Sequence, residues 1–152
     1  MNIGFKKKSP PHARDSHYFF SSFRKPSWTI VVLTNHGVGH TTFSVFNYTE
    51  EFYRQLKRLA KHYRSLADDL NTLQHDLMEN PEIGVSLGGG KRKIRLGVKS
   101  KGGGKRGGLR VITLNVVIDV TNTCINLLTI YDKKEISNVS EKYIDELIRG
   151  LK

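Results

Sequence analysis

The chain is poor in the residues that would hold a small protein together covalently. Cys124 is its only cysteine among 152 residues, which excludes an intramolecular disulfide framework and any multi-cysteine zinc cage, and fits a reducing cytoplasmic setting. Acidic residues are also scarce: 14 Asp and Glu against 25 Lys and Arg leave a formal charge of +11. No apolar run approaches the roughly 18 residues of a membrane span; the longest candidate, Trp28 to Leu33, is far too short. No apolar stretch follows the basic start closely enough to make a signal peptide. At 17.3 kDa the chain has the length of about one domain, enough to bury a core unaided.

The charge is the first positive signal. A pI near 9.9 is the footprint of a polyanionic partner, nucleic acid first, with an acidic protein or an anionic membrane surface as alternatives. A merely solvated basic surface is the plainer reading.

The pattern divides the chain in two. Residues 1–42 hold three of the four prolines and four of the six histidines (His12, His17, His36, His40) without sustained periodicity. They read as a loosely ordered N-terminal extension, with Thr29 to Leu33 as a lone strand at most. The domain is expected at residues 43–152. Phe43 to Tyr48 alternates like a strand. Thr49 is placed to cap a helix with Glu50 and Glu51 in its first turn. Phe52, Tyr53, Leu56, Leu59, Ala60 and Tyr63 then recur at helical spacing, and Leu66, Leu70, Leu73 and Leu77 make the stripe of a second helix ended by Asn80-Pro81.

Next comes a glycine-rich basic region. Ten of the 14 glycines lie between Gly84 and Gly108, and Lys91 to Arg110 carries nine cations and no acid. Lys91 to Lys99 alternates, with Ile94, Leu96 and Val98 on one face and Lys93, Arg95 and Lys99 on the other. Lys101 to Gly108 reads as a mobile loop, Leu109 to Val120 and Cys124 to Tyr131 as strands, with Cys124 as inert core, and Ser140 as the cap of a last helix. The order β-α-α-β-β-β-α gives an α+β fold, a helical hairpin packed on a small antiparallel sheet. The glycines do not make a phosphate-binding P-loop: Gly90-Lys91 and Gly104-Lys105 would need glycines where Val85 and Lys99 stand, and neither lysine precedes Ser or Thr. His62 and His75 read as surface histidines, so no metal site is expected.

A cationic stripe beside a basic loop suits a nucleic-acid backbone. It also suits RNA cleavage by the RNA's own 2′-hydroxyl, where cations stabilise the phosphorane and an amine can carry the proton. Arg92-Lys-Ile-Arg-Leu-Gly-Val-Lys-Ser-Lys-Gly-Gly-Gly-Lys-Arg-Gly-Gly-Leu-Arg-Val-Ile112 resembles the signature of RelE/HigB toxins of bacterial type II toxin–antitoxin systems. So does Leu127-Leu-Thr-Ile-Tyr-Asp-Lys-Lys-Glu-Ile-Ser-Asn-Val-Ser140, and the HigB-like branch is nearest. The resemblance spans about Phe43 to Leu151; residues 1–42 have no counterpart in it.

The resemblance implies a RelE-like fold and a ribosome-dependent endoribonuclease (an mRNA interferase) that needs no cofactor. Its partners would be the translating ribosome, mRNA and a cognate antitoxin, often of helix-turn-helix type, with no membrane. The catalytic positions carry over to Lys93, Arg95, Arg110 and Lys134, with Lys91, Arg92, Lys99, Lys101, Lys105 and Arg106 as RNA contacts. The tyrosine that some relatives carry near the C-terminus is unmatched; its place falls near Ser140. Tyr131 is expected to pack. A gyrase inhibitor of the ParE type and a non-catalytic nucleic-acid-binding module are the alternatives.

Overall fold

The structure is a computed structural model that describes residues 29–35, 41–102, 104–120 and 122–151. Expectations for residues 1–28 and 36–40, their four histidines included, lie outside the described residues. The elements are β1 (Thr29–Asn35), β2 (Thr41–Tyr48), α1 (Glu50–Ala60), α2 (Leu66–Glu79), β3 (Val85–Gly88), β4 (Lys91–Leu96), a 3-10 turn (Lys99–Lys101), α3 (Gly104–Gly107), β5 (Leu109–Val117), β6 (Asn122–Asp132) and α4 (Glu141–Arg149).

The class is α+β, but the sheet is mixed rather than antiparallel. Its order is β1-β2-β6-β5-β4-β3, and β2 runs parallel to β6, Phe43 to Tyr48 against Asn122 to Leu127. Parallel neighbours need a long crossover, and the chain between β2 and β6 supplies it through α1, α2 and three further strands. Two strands lie beyond the expected order. β1 is not a lone strand: it pairs antiparallel with β2 from Thr29↔Asn47 to Asn35↔Thr41, so the sheet extends into the segment set apart as an extension. β3 is the short partner of β4, joined to it across Gly88, Gly89 and Gly90. All three glycines have positive φ, a conformation that side chains resist.

The main core lies between the α1–α2 hairpin and one face of the sheet. Thr49 caps α1 by accepting from the Phe52 N–H, which sets Phe52, Leu56 and Leu59 inward against Phe46, Ile125 and Ile130. Leu66, Leu70, Leu73 and Leu77 of α2 close over Ile94, Leu96 and Val98, as their spacing predicts. A smaller cluster lies on the opposite face, where α4, capped by Ser140, sets Ile144 against Ile112, Leu128 and Tyr131. Leu128 reaches that face because β6 carries one extra residue opposite Ile112 and Thr113. Cys124 is not core: it is half-buried, and its Sγ accepts from Asn47 at 3.2 Å. Burial raises its thiol pKa, which makes it a poor nucleophile.

Candidate nucleic-acid interface

The hairpin uses one face of β4, so alternation sends Lys91, Lys93 and Arg95 to the other. Pairing then fixes what stands beside them. Arg95 lies directly opposite Arg110 of β5, and Arg110 directly opposite Tyr131 of β6. Directly paired residues share a face, with Cβ atoms about 4.5–5.5 Å apart. The next row on that face is Lys93, Ile112 and Thr129. Three of the four expected catalytic cations, Lys93, Arg95 and Arg110, thus meet in two adjacent rows.

Their surroundings differ. Arg95 is exposed. Arg110 is 7% exposed and anchored by its guanidinium to the carbonyls of Lys105 at 3.4 Å and Leu109 at 3.1 Å. Lys93 Nζ donates to Asn138 Oδ1 at 3.1 Å. Among the described residues no carboxylate forms a salt bridge with any of the three. Tyr131 ends the row. Burial raises its pKa, although the Arg110 charge pulls the other way, and its hydroxyl accepts from the Val139 backbone N–H. It packs, as expected.

The fourth expected residue stands apart. Lys134 is exposed in the turn after β6, where its backbone N–H donates to Asp132 Oδ1 at 2.9 Å; among the described residues no hydrogen bond or ion pair brings its side chain to the row.

The six expected RNA contacts divide. Lys99, Lys105 and Arg106 are exposed around the glycine-rich connection between β4 and β5, although Lys99 lies in the 3-10 turn because β4 stops at Leu96. That connection is structured as the 3-10 turn and α3. Its end is fixed by Gly108, whose missing Cβ would stand 1.9 Å from the Leu96 carbonyl oxygen.

Lys91 is committed to α4, with Nζ 3.2 Å from Asp145 and 3.4 Å from Glu141. The hydrogen bond to Asp145 raises its pKa. Arg92 alternates to the hairpin side, where it bonds the Glu82 and Gly84 carbonyls. Lys101 is buried. Its Nζ is 2.5 Å from Asp132 Oδ2, and the two side chains are 8% and 3% exposed. It also stands 5.1 Å over the Tyr63 ring, while the Tyr63 hydroxyl donates to the same carboxylate oxygen at 2.6 Å.

Sequence reasoning missed Asn138, Asp132 and Asp145. Each lies far in sequence from the cation it holds, and no local period joins the two. Among the described residues no group of His, Cys, Asp and Glu could hold a metal ion, and no helix is long and apolar enough to cross a membrane. No protein-family model matches the chain.

Proposed function

We propose that this protein is a toxin of the RelE/HigB-like kind, an endoribonuclease that cleaves mRNA on the translating ribosome. The observation that carries the reading is Arg95 directly opposite Arg110, with Lys93 in the next row and no carboxylate paired to any of them among the described residues. Like charges directly opposite destabilise a sheet. A fold that keeps two guanidiniums there gains most from a polyanion that fills the space between them. The likeness of the two sequence motifs to those toxins, and a helical hairpin packed on a sheet, support the same reading.

The chemistry follows from the residue types. The 2′-oxygen forms a bond to the adjacent phosphorus, and the bond from phosphorus to the 5′-oxygen breaks, leaving a 2′,3′-cyclic phosphate and a 5′-hydroxyl. Arginine stays protonated under all working conditions, so Arg95 and Arg110 hold the phosphorane charge. Lys93 is the one amine of the group, and we assign it the 2′-hydroxyl proton. The leaving 5′-oxygen takes its proton from water. Lys105 and Arg106 hold the flanking backbone. A cognate antitoxin, helix-turn-helix or otherwise, would silence the site by covering this face.

The test is induced expression in a bacterium with primer-extension mapping of cellular mRNA. Growth arrest with cuts inside translated codons is expected, with loss of both in Arg95→Ala. Arrest over intact mRNA would move the target to gyrase, and no arrest from a folded product would leave a binding module.

A further inference from the structure

The row that holds Lys93 has a cavity above it. The approach to α4 arches over the sheet there and leaves about 180 Å³ between them. Leu87 of β3, Ile112 of β5, and Val139 and Ile144 on the α4 side form its apolar walls, with Lys93 and Asn138 at the rim. The Lys91–Glu141 contact closes the other side.

The rim is not saturated. The Lys93 ammonium has three hydrogens and gives one to Asn138 Oδ1. The Asn138 amide nitrogen has no partner among the described residues, and Asn138 is exposed. Glu141, 78% exposed at its side chain, adds acceptor oxygens. Apolar walls with donors and an acceptor gathered at one edge match a flat heterocycle that carries acceptors beside a donor. An aliphatic ligand would leave the rim unanswered. The position matters as much. Lys93 lies two residues along β4 from Arg95, about 6.6 Å at the rise of a strand, so a ligand anchored by phosphate at Arg95 and Arg110 places its base over this opening.

We propose that the cavity is a nucleobase subsite, where the base of the nucleotide whose phosphate rests on Arg95 and Arg110 stacks between the apolar walls and presents its polar edge to Asn138. The inference rests on the phosphate reading above and adds the group that selects the sequence cut.

Titration of the isotope-labelled full chain, followed by NMR, separates the two. The probes are inorganic phosphate and the four nucleoside 3′-monophosphates. Phosphate is expected to shift the Arg95 and Arg110 side-chain signals. The nucleotides are expected to bind at least about fivefold tighter, the lower end of what stacking one base contributes, and to shift the methyl signals of Leu87, Ile112, Val139 and Ile144.

Val139→Phe, which fills the cavity, should bring nucleotide affinity down to that of phosphate and leave phosphate binding intact. Asn138→Ala, at an exposed position, should flatten the differences among the four bases and serves alone if the first variant does not fold. Nucleotides that bind no tighter than phosphate, with the cavity methyls unmoved, would overturn the subsite and spare the phosphate site. Failure of phosphate and nucleotides alike to shift Arg95 and Arg110 would overturn both.

Discussion

Lys101→Met separates anchoring from RNA contact. In the wild type, burial alone would raise the Asp132 carboxyl, but the Lys101 ammonium and the Tyr63 hydroxyl outweigh it and hold the group below its ordinary value of 3.8. Methionine keeps much of the Lys101 stem and removes the charge. Breaking a buried pair by deleting one partner costs about 3–5 kcal/mol, because the other charge stays buried. Asp132 keeps the Tyr63 hydroxyl and the Lys134 N–H, so the loss should sit at the lower end, about 3 kcal/mol. For a chain of this length that is roughly 6–12 °C in Tm.

The pH dependence gives the sharper test. A carboxyl whose folded pKa is depressed adds stability above its unfolded value, and that stability is lost as pH falls through the folded value. In Lys101→Met the carboxylate has lost its cation, so burial raises its pKa and acid relieves the strain. The gap between wild type and variant is therefore widest near pH 7, begins to narrow as pH falls through the variant's raised carboxyl pKa, and narrows further below about pH 4 as the wild type loses its pair. Urea unfolding followed by circular dichroism at pH 7, 5 and 3.5 measures it. Lys101→Met with Asp132→Leu should return to within about 1 kcal/mol of wild type, since no lone charge remains. A loss under about 1 kcal/mol at pH 7, or one that does not change with pH, would refute the argument. On the proposed function, cleavage per folded molecule should persist in Lys101→Met, because the ammonium is already held by Asp132.

Further outcomes follow from single contacts. Arg95→Ala should leave stability within about 0.5 kcal/mol or raise it, since it relieves the Arg95–Arg110 repulsion; toxicity should fall in parallel, with cleavage down about 10²–10³-fold. Gly108→Ala should cost about 3 kcal/mol or more in chemical denaturation, because the new methyl collides with the Leu96 carbonyl. Gly107→Ala, with open space around the site, should be neutral or stabilise by up to about 1 kcal/mol. Thr49→Ala should cost about 1–2 kcal/mol in the same assay, since its hydroxyl caps α1 and also donates to the Leu128 carbonyl at 2.6 Å.

The hairpin, the alternation of β4 and both helix caps were legible because each rests on a local period or one residue's preference. Leu66 to Leu77 face the sheet as spaced, and Thr49 and Ser140 cap as placed. Pairing direction is not local. Nothing within Phe43 to Tyr48 or Cys124 to Tyr131 tells that these strands run parallel; that depends on where the crossover between them lies. β3 was missed because four residues with two glycines beyond them carry too little period. β1 was undervalued because prolines and histidines around it hid a short apolar run. At the site, charge and alternation found Lys93 and Arg95 together. They could not tell Arg110 from Lys101, since both stand among glycines and cations. Only the register, which sets Arg110 beside Arg95, and the distant Asp132, which claims Lys101, distinguish them.

That distinction is the physical content of the site. Several cations have carboxylates to themselves: Lys101 with Asp132, Lys91 with Asp145 and Glu141, Arg58 with Glu135, Arg54 with Glu51. The first three join separate segments, the last lies within α1, and all are satisfied without a ligand. Lys93, Arg95 and Arg110 are held by neutral acceptors or by none among the described residues. Neutral acceptors orient a cation while leaving its charge uncancelled, and at Arg110, which is buried beside Tyr131, that charge is less screened than at the exposed Arg95. The chain has acids enough to pair more cations, and α4 brings Glu141 and Asp145 to this same face, yet both go to Lys91. Charge left unpaired here, while acids a few residues away are held by a neighbour, is the feature on which the proposed anion site rests, and a surface that is only basic would not need it.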